Sequence, residues 1–196
     1  MDDILDLLTS QMNADSINQM ARQVGASPDA VGTAVSGALP ALVGALSRNA
    51  AEPQGAMALA GALDRDHDGS ILDNIGGFLG AGDTSPGAAI LGHVLGGRQG
   101  NVERGLASKS GLDAGQITQI LAMLAPLVMG ALGRQKQQGG LDLGGLTDML
   151  SGQRRRMEKD QGMGGLLGSL LDSDGDGDSM DDLAKIGGGL LGKILG

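Results

Sequence analysis

The chain has no cysteine, tryptophan or tyrosine, and one phenylalanine, Phe78, among 196 residues. Without cysteine there is no disulfide, no thiolate metal site and no cysteine nucleophile, and thiols say nothing about the redox compartment. Without large aromatics, a core has to be built from Leu, Ala, Val, Ile and Met. Basic residues are also scarce: 14 Lys and Arg stand against 23 Asp and Glu, a net charge of −9. That balance argues against a nucleic acid partner, which calls for a basic face. The run Arg154-Arg155-Arg156 is offset by Glu158 and Asp160 and reads as a solvated helix face. No run of about 18 consecutive apolar residues occurs, so a spanning helix is not expected. The opening MDDILDLL is acidic where a secretory signal is basic, and no h-region or cleavage site follows it. A cytoplasmic location and leaderless export both stay open.

Glycine is plentiful instead: 37 residues, clustered in IGGFLGAG, GLDLGGL, GMGGLLG and KIGGGLLG without a collagen-like period. An internal match organises the rest. Residues 20–48 lie on residues 106–134 without a gap, pairing Gly25 with Gly111, Pro40 with Pro126, Gly44 with Gly130 and Arg48 with Arg134. The matched proline inside an apolar run, followed each time by Gly-Ala-Leu, points to a duplication. Each copy reads as a short helix, a turn at glycine and a longer helix. Ser27-Pro28 supplies an N-cap with proline at the first helical position, and Asp113 with Gln116 supplies a capping box. ILAMLAPLVMGAL, residues 120–132, is apolar around most of its circumference, which calls for burial on all sides. Pro40 and Pro126 are expected to kink these two helices.

The expected fold is all-α: a multihelical bundle with internal duplication and two buried proline-kinked helices, plus acidic calcium loops. Its parts are a first helical repeat at 1–63, a calcium loop at 64–75 and a glycine-rich helical hairpin at 76–100. A second helical repeat at 101–150 follows, and 151–196 holds a C-terminal helix, a second calcium loop and a glycine-rich tail.

The loops carry the main chemical signal. DRDHDGSILDN begins with Asp64, Asp66 and Asp68, followed by Gly69 and Asp73; DSDGDGDSMDD repeats the spacing with Asp172, Asp174, Asp176, Gly177 and Asp181. Calcium takes roughly six to eight hard oxygens at about 2.3–2.6 Å, and alternate residues of a curling loop point inward. Glycine at the sixth position makes the sharp turn, and the backbone carbonyl at the seventh, Ser70 or Asp178, adds a ligand. The twelfth position is Ile75 or Leu183, where an EF-hand has a bidentate Glu. Asp73 or Asp181 would therefore close a shortened loop of modest affinity, on the order of 10⁻⁴ to 10⁻³ M. The expected cofactor is Ca²⁺, held by Asp64, Asp66, Asp68, Ser70 and Asp73 in one loop and Asp172, Asp174, Asp176, Asp178 and Asp181 in the other.

No catalytic set is read. His67 is expected to point out of the first loop and His93 to sit on an apolar helix face; two separated histidines do not make a triad. No Gly-Lys-Ser/Thr follows a glycine cluster, so there is no phosphate-binding loop. The reading is a non-enzymatic calcium-binding structural or interaction protein. A second match, GAAILGHVLG at 87–96 with GGGLLGKILG at 187–196, bears on assembly. In the first copy a helical pair follows and can cover Ile90, Leu91, Val94 and Leu95. After the second copy no such pair follows, so Leu190, Leu191, Ile194 and Leu195 are expected to fold back on their own chain, dock on a neighbouring molecule or stay disordered. The second option makes a homo-oligomer through 187–196, growing head to tail into filaments. The alternative class is a peripheral protein whose glycine-rich amphipathic segments touch a membrane or lipid surface, disfavoured by the negative charge.

The segments SGL or GAS before a capped helix, then LAPLVMGALG, with ILGHVLGGRQGNVERGLA upstream, resemble the bacterial family called domain of unknown function 937. That family is similar to the YidB-like all-α proteins. The resemblance covers roughly residues 1–140 and implies a multihelical bundle with a buried central helix. It implies no reaction and supplies no catalytic residues; the acidic loops and the glycine-rich tail go beyond its pattern.

Overall fold

The computed structural model describes residues 4–159, and these form helices and turns with no strand among them. The helices are α1 (Ile4–Gln11), α2 (Ala14–Val24), α3 (Pro28–Ala51), α4 (Pro53–Arg65), α5 (Ile75–Ala81), α6 (Ser85–Val94), α7 (Gln99–Ser110), α8 (Ala114–Gly139) and α9 (Leu143–Lys159). Short 3₁₀ turns at Ser70–Asn74 and Gly96–Arg98 lead into α5 and α7.

The two helix pairs are built alike from local chemistry. Gly25 ends α2 at φ 66° and Gly111 ends α7 at φ 73°, left-handed conformations that glycine adopts without a Cβ clash. Ser27 then accepts from the Ala30 N–H, with Pro28 opening α3 where no backbone donor is needed. At the matching place Asp113 accepts from the Gln116 N–H at 2.9 Å, and the Gln116 side chain accepts from the Asp113 N–H at 3.0 Å. The same Gln116 side chain also donates to the Val24 carbonyl, tying the start of α8 to the end of α2.

α3 and α8 form the centre. α8 packs on α1, α2, α3, α4, α6 and α7, while α3 touches all of these partners except itself and also α9. Residues 38–47 of α3 and 120–133 of α8 are buried without interruption. A surface helix would bury one stripe; helices enclosed on every side have no polar face to spare. Each fully buried Leu or Ile contributes about 1.5–3 kcal/mol relative to exposure. Both helices are long and apolar enough to cross a membrane by length and composition, yet 72% and 78% of their most apolar windows are buried inside the bundle.

Pro40 and Pro126 lie inside these helices, which continue through both. A helical proline removes the N–H that would serve the carbonyl four residues back, and for Pro126 that carbonyl is Ala122. α6 comes closest here: a Cβ on Gly87 would overlap the Ala122 carbonyl. Peripheral elements are held by side-chain amides and hydroxyls. Gln19 and Gln23 of α2 donate to the Gly76 and Leu79 carbonyls of α5. Buried Ser47 of α3 donates to the Leu150 carbonyl of α9 at 2.9 Å.

Candidate functional site

The first acidic segment joins α4 to α5 and lies against α8. Asp64 belongs to the last turn of α4 and Asp66 is its C-cap residue. Gly69 makes the sharp turn at φ 92°, and a Cβ there would meet Arg134 Cβ at 2.8 Å and the Gly130 carbonyl at 3.0 Å. The recess that admits this backbone is itself glycine: a Cβ on Gly133 would overlap the His67 carbonyl, and one on Gly130 would overlap the Ile71 side chain. Only the unbranched backbone of glycine permits an approach this close.

Arg134 fastens the loop. Its Nη2 donates to the Gly69 carbonyl at 2.7 Å and to the Asp73 carboxylate. Two residues on, Lys136 donates to the Asp64 carboxylate. Asp68 is exposed and accepts from the Ser70 N–H at 2.9 Å; hydrogen bonds from Ser70 hold its carboxyl below the usual carboxylate range. Asp66 is exposed.

In this arrangement the carboxylates of the loop are not drawn together around one point. Among the described residues no three His, Asp or Glu side chains come together closely enough to hold a metal ion. Asp64 and Asp73, the first and last of the expected ligands, are engaged by Lys136 and Arg134. Two of the loop's carboxylates, Asp64 and Asp73, are thus answered by side-chain cations from α8. The second loop, with Asp172, Asp174, Asp176, Asp178 and Asp181, and the 187–196 segment lie outside the described residues.

Behind the loop, α3, α4, α6 and α9 surround a cleft of about 810 Å³. Arg48 from α3, Arg65 from α4, Arg98 from the turn before α7 and Arg154 from α9 line it, with His67 and His93. Glu52 is the one carboxylate among the described lining residues, and the apolar wall includes Leu59, Ile90, Val94 and Met129. Asn49 fixes one side by donating to the His93 and Val94 carbonyls at 3.1 and 3.2 Å. Two expectations are corrected here. His67 is partly buried and turned to the cleft, because the close packing of its backbone on Gly133 carries it inward; burial pushes its pKa down, against the opposing pull of Asp66. His93 is exposed rather than seated in the core, because Leu91 and Val94 take the buried face of α6.

Arg48 is the least comfortable group in the cleft. Its Nε is enclosed and has no hydrogen-bond partner. Burial, then the positive charges of Arg98 and Arg154, pull its pKa down from the ordinary arginine value. An enclosed donor without an acceptor costs about 1–3 kcal/mol, and more when charged. The available sequence signal was the pairing of Arg48 with Arg134; the four-arginine lining has no linear signature, since its members come from four separate parts of the chain.

The family model for a bacterial protein of unknown function, DUF937, matches residues 6–135. That span takes in both helix pairs and the first acidic loop but stops before α9 and Arg154. No curated protein and no solved structure matches the chain.

Proposed function

The chain belongs to the DUF937 family of bacterial proteins, and from that premise we propose that it is a non-catalytic interaction protein built by duplication of a helix pair. The observation that carries this reading is the neutralisation of Asp64 and Asp73 by Lys136 and Arg134. Carboxylates that a metal site would leave for its ion are committed to holding the α4–α5 connection on α8, which is structural work. The parallel caps at Ser27 and Asp113 and the parallel left-handed glycines support the duplication.

Calcium binding then falls to the second loop. Six aspartates stand between Asp172 and Asp182 with no Lys or Arg among them, a spacing that needs a cation to relieve repulsion and suits oxygen coordination. The interaction we assign is head-to-tail assembly through residues 187–196, with calcium at the adjacent loop as the condition for it.

Isothermal titration of the full chain tests the metal assignment. The expected result is about one calcium equivalent, lost in Asp174→Ala and retained in Asp66→Ala; loss in Asp66→Ala, or retention in Asp174→Ala, overturns it. Light scattering tests assembly. Scattering should rise with calcium and fall when 187–196 are deleted, and monomers in calcium and in chelator alike would refute the filament.

A further inference from the structure

Arg48 and Arg134 close the same Gly-Ala-Leu-X-Arg ending in the two long helices. Arg134 has two acceptors, the Gly69 carbonyl and the Asp73 carboxylate. Arg48 has an enclosed Nε with none, and other parts of the residue line a cleft shared with Arg65, Arg98 and Arg154. We propose that this cleft binds a small amphiphilic anion, a phosphate or carboxylate group carried on an apolar body. The site is separate from the acidic loops and goes beyond the assembly reading.

Charge supplies the first part of the argument. The chain carries −9 overall, yet four of its arginines converge on one cleft whose described lining offers a single carboxylate, Glu52. Gathering like charges is unfavourable in itself. Burial and the neighbouring arginines already weaken the hold of Arg48 on its proton, and the attraction of a bound anion would act against that. Guanidinium groups suit this role because their planar donors match the oxygens of phosphate and carboxylate.

The walls supply the second part. A bare inorganic anion needs only the arginines, but Leu59, Ile90, Val94 and Met129 also face the space. About 810 Å³ falls in the range of pockets that enclose small organic molecules, roughly 300–1,000 Å³. Apolar lining with a few convergent polar groups fixes which end of a ligand goes where: the anionic head to Arg48 and Arg98, the apolar body along α4 and α6.

The test is calorimetric titration of the full chain with decyl phosphate, beside inorganic phosphate and vesicles of phosphatidylglycerol in phosphatidylcholine. Decyl phosphate should bind saturably, weaken as salt is raised, and exceed inorganic phosphate by at least about tenfold, the effect of roughly two buried methylenes. Arg48→Met and Arg98→Gln should each weaken binding about tenfold or more. Arg48→Met should melt no lower than the parent, since it removes an unpartnered donor; a purely structural Arg48 would lower the melting temperature and leave affinity unchanged. Absence of saturable binding, equal affinity in both variants and the parent, or equal affinity for inorganic phosphate would overturn the proposal. So would vesicle binding that Arg48→Met abolishes, which would place the anion on a lipid surface.

Discussion

Arg134 reaches from α8 to the Gly69 carbonyl and the Asp73 carboxylate at once, so one side chain bridges both ends of the 3₁₀ turn before α5. The two bonds are not equal. The Asp73 side chain is 71% exposed, against 26% for Arg134, and an exposed ion pair contributes about 0.2–1 kcal/mol. The bond to the Gly69 carbonyl is charge-assisted and more sheltered, and belongs to a class worth about 1.5–3 kcal/mol. Asp73→Asn should therefore lower unfolding free energy by well under about 1 kcal/mol, and Arg134→Met by about 1.5–3 kcal/mol. Denaturant unfolding of both variants decides it; equal losses would mean that the Gly69 carbonyl contributes nothing.

Glycines in this chain should split into two classes. Gly133→Ala pushes a methyl into the His67 carbonyl, an overpacking that costs about 1–3 kcal/mol. Gly32, within α3, has open space where its Cβ would be, so Gly32→Ala should stabilise by about 0.4–1 kcal/mol through the unfolded chain. Thermal melts moving in opposite directions are the expected signature. A melt of Gly133→Ala above the parent would contradict the close seating of the loop.

Acid should act in two separate windows. His67 has a lowered pKa because burial disfavours its charged form, so the unfolded chain binds its proton first. Stability from His67 is complete well above the unfolded value of 6.5 and declines as pH falls through that value toward the folded pKa. Asp68 runs lower on the scale: hydrogen bonds from Ser70 favour its charged form, so its contribution is present above 3.8 and fades below it. His67→Asn should flatten the upper slope and leave the lower one. Unfolding measured across pH checks this, and an unchanged upper slope would assign it elsewhere.

Core depth gives a further contrast. Leu124 of α8 is fully buried, whereas Met57 of α4 is 57% exposed. Leu124→Ala should cost about 2.7–5 kcal/mol by loss of transfer energy and residual cavity. Met57→Ala should fall within about 0.5 kcal/mol of the parent. Chemical denaturation distinguishes them at once.

What the sequence makes legible is what depends on neighbours along the chain. The caps at Ser27 and Asp113, the glycine turns at 25 and 111 and the enclosure of 120–132 follow from spacing and apolar pattern alone, and the structure has them in place. Both long helices run on without interruption through Pro40 and Pro126. The acidic loop was legible as a concentration of charge and a turn at Gly69, but not as to which cation answers it. Lys136 and Arg134 lie more than sixty residues away, and only the packing of Gly130 and Gly133 brings them within reach. The cleft was less legible still. His67 and His93, separate in sequence, meet at one space because α4 and α6 both lean on α3.

The approach of Gly87 to the Ala122 carbonyl has a consequence for how α6 finds its place. Helices made of Gly, Ala and Leu are smooth rods, and two of them can slide past one another by a turn with little change in apolar contact. Pro126 breaks that sameness, since it leaves on α8 a carbonyl without its helical donor. A neighbouring backbone can press close there without competing for an occupied acceptor, and a residue with no side chain can press closest. The proline thus acts as a notch and the glycine as the tooth that fits it, selecting one axial setting of α6 from several that hydrophobicity alone would leave nearly equivalent.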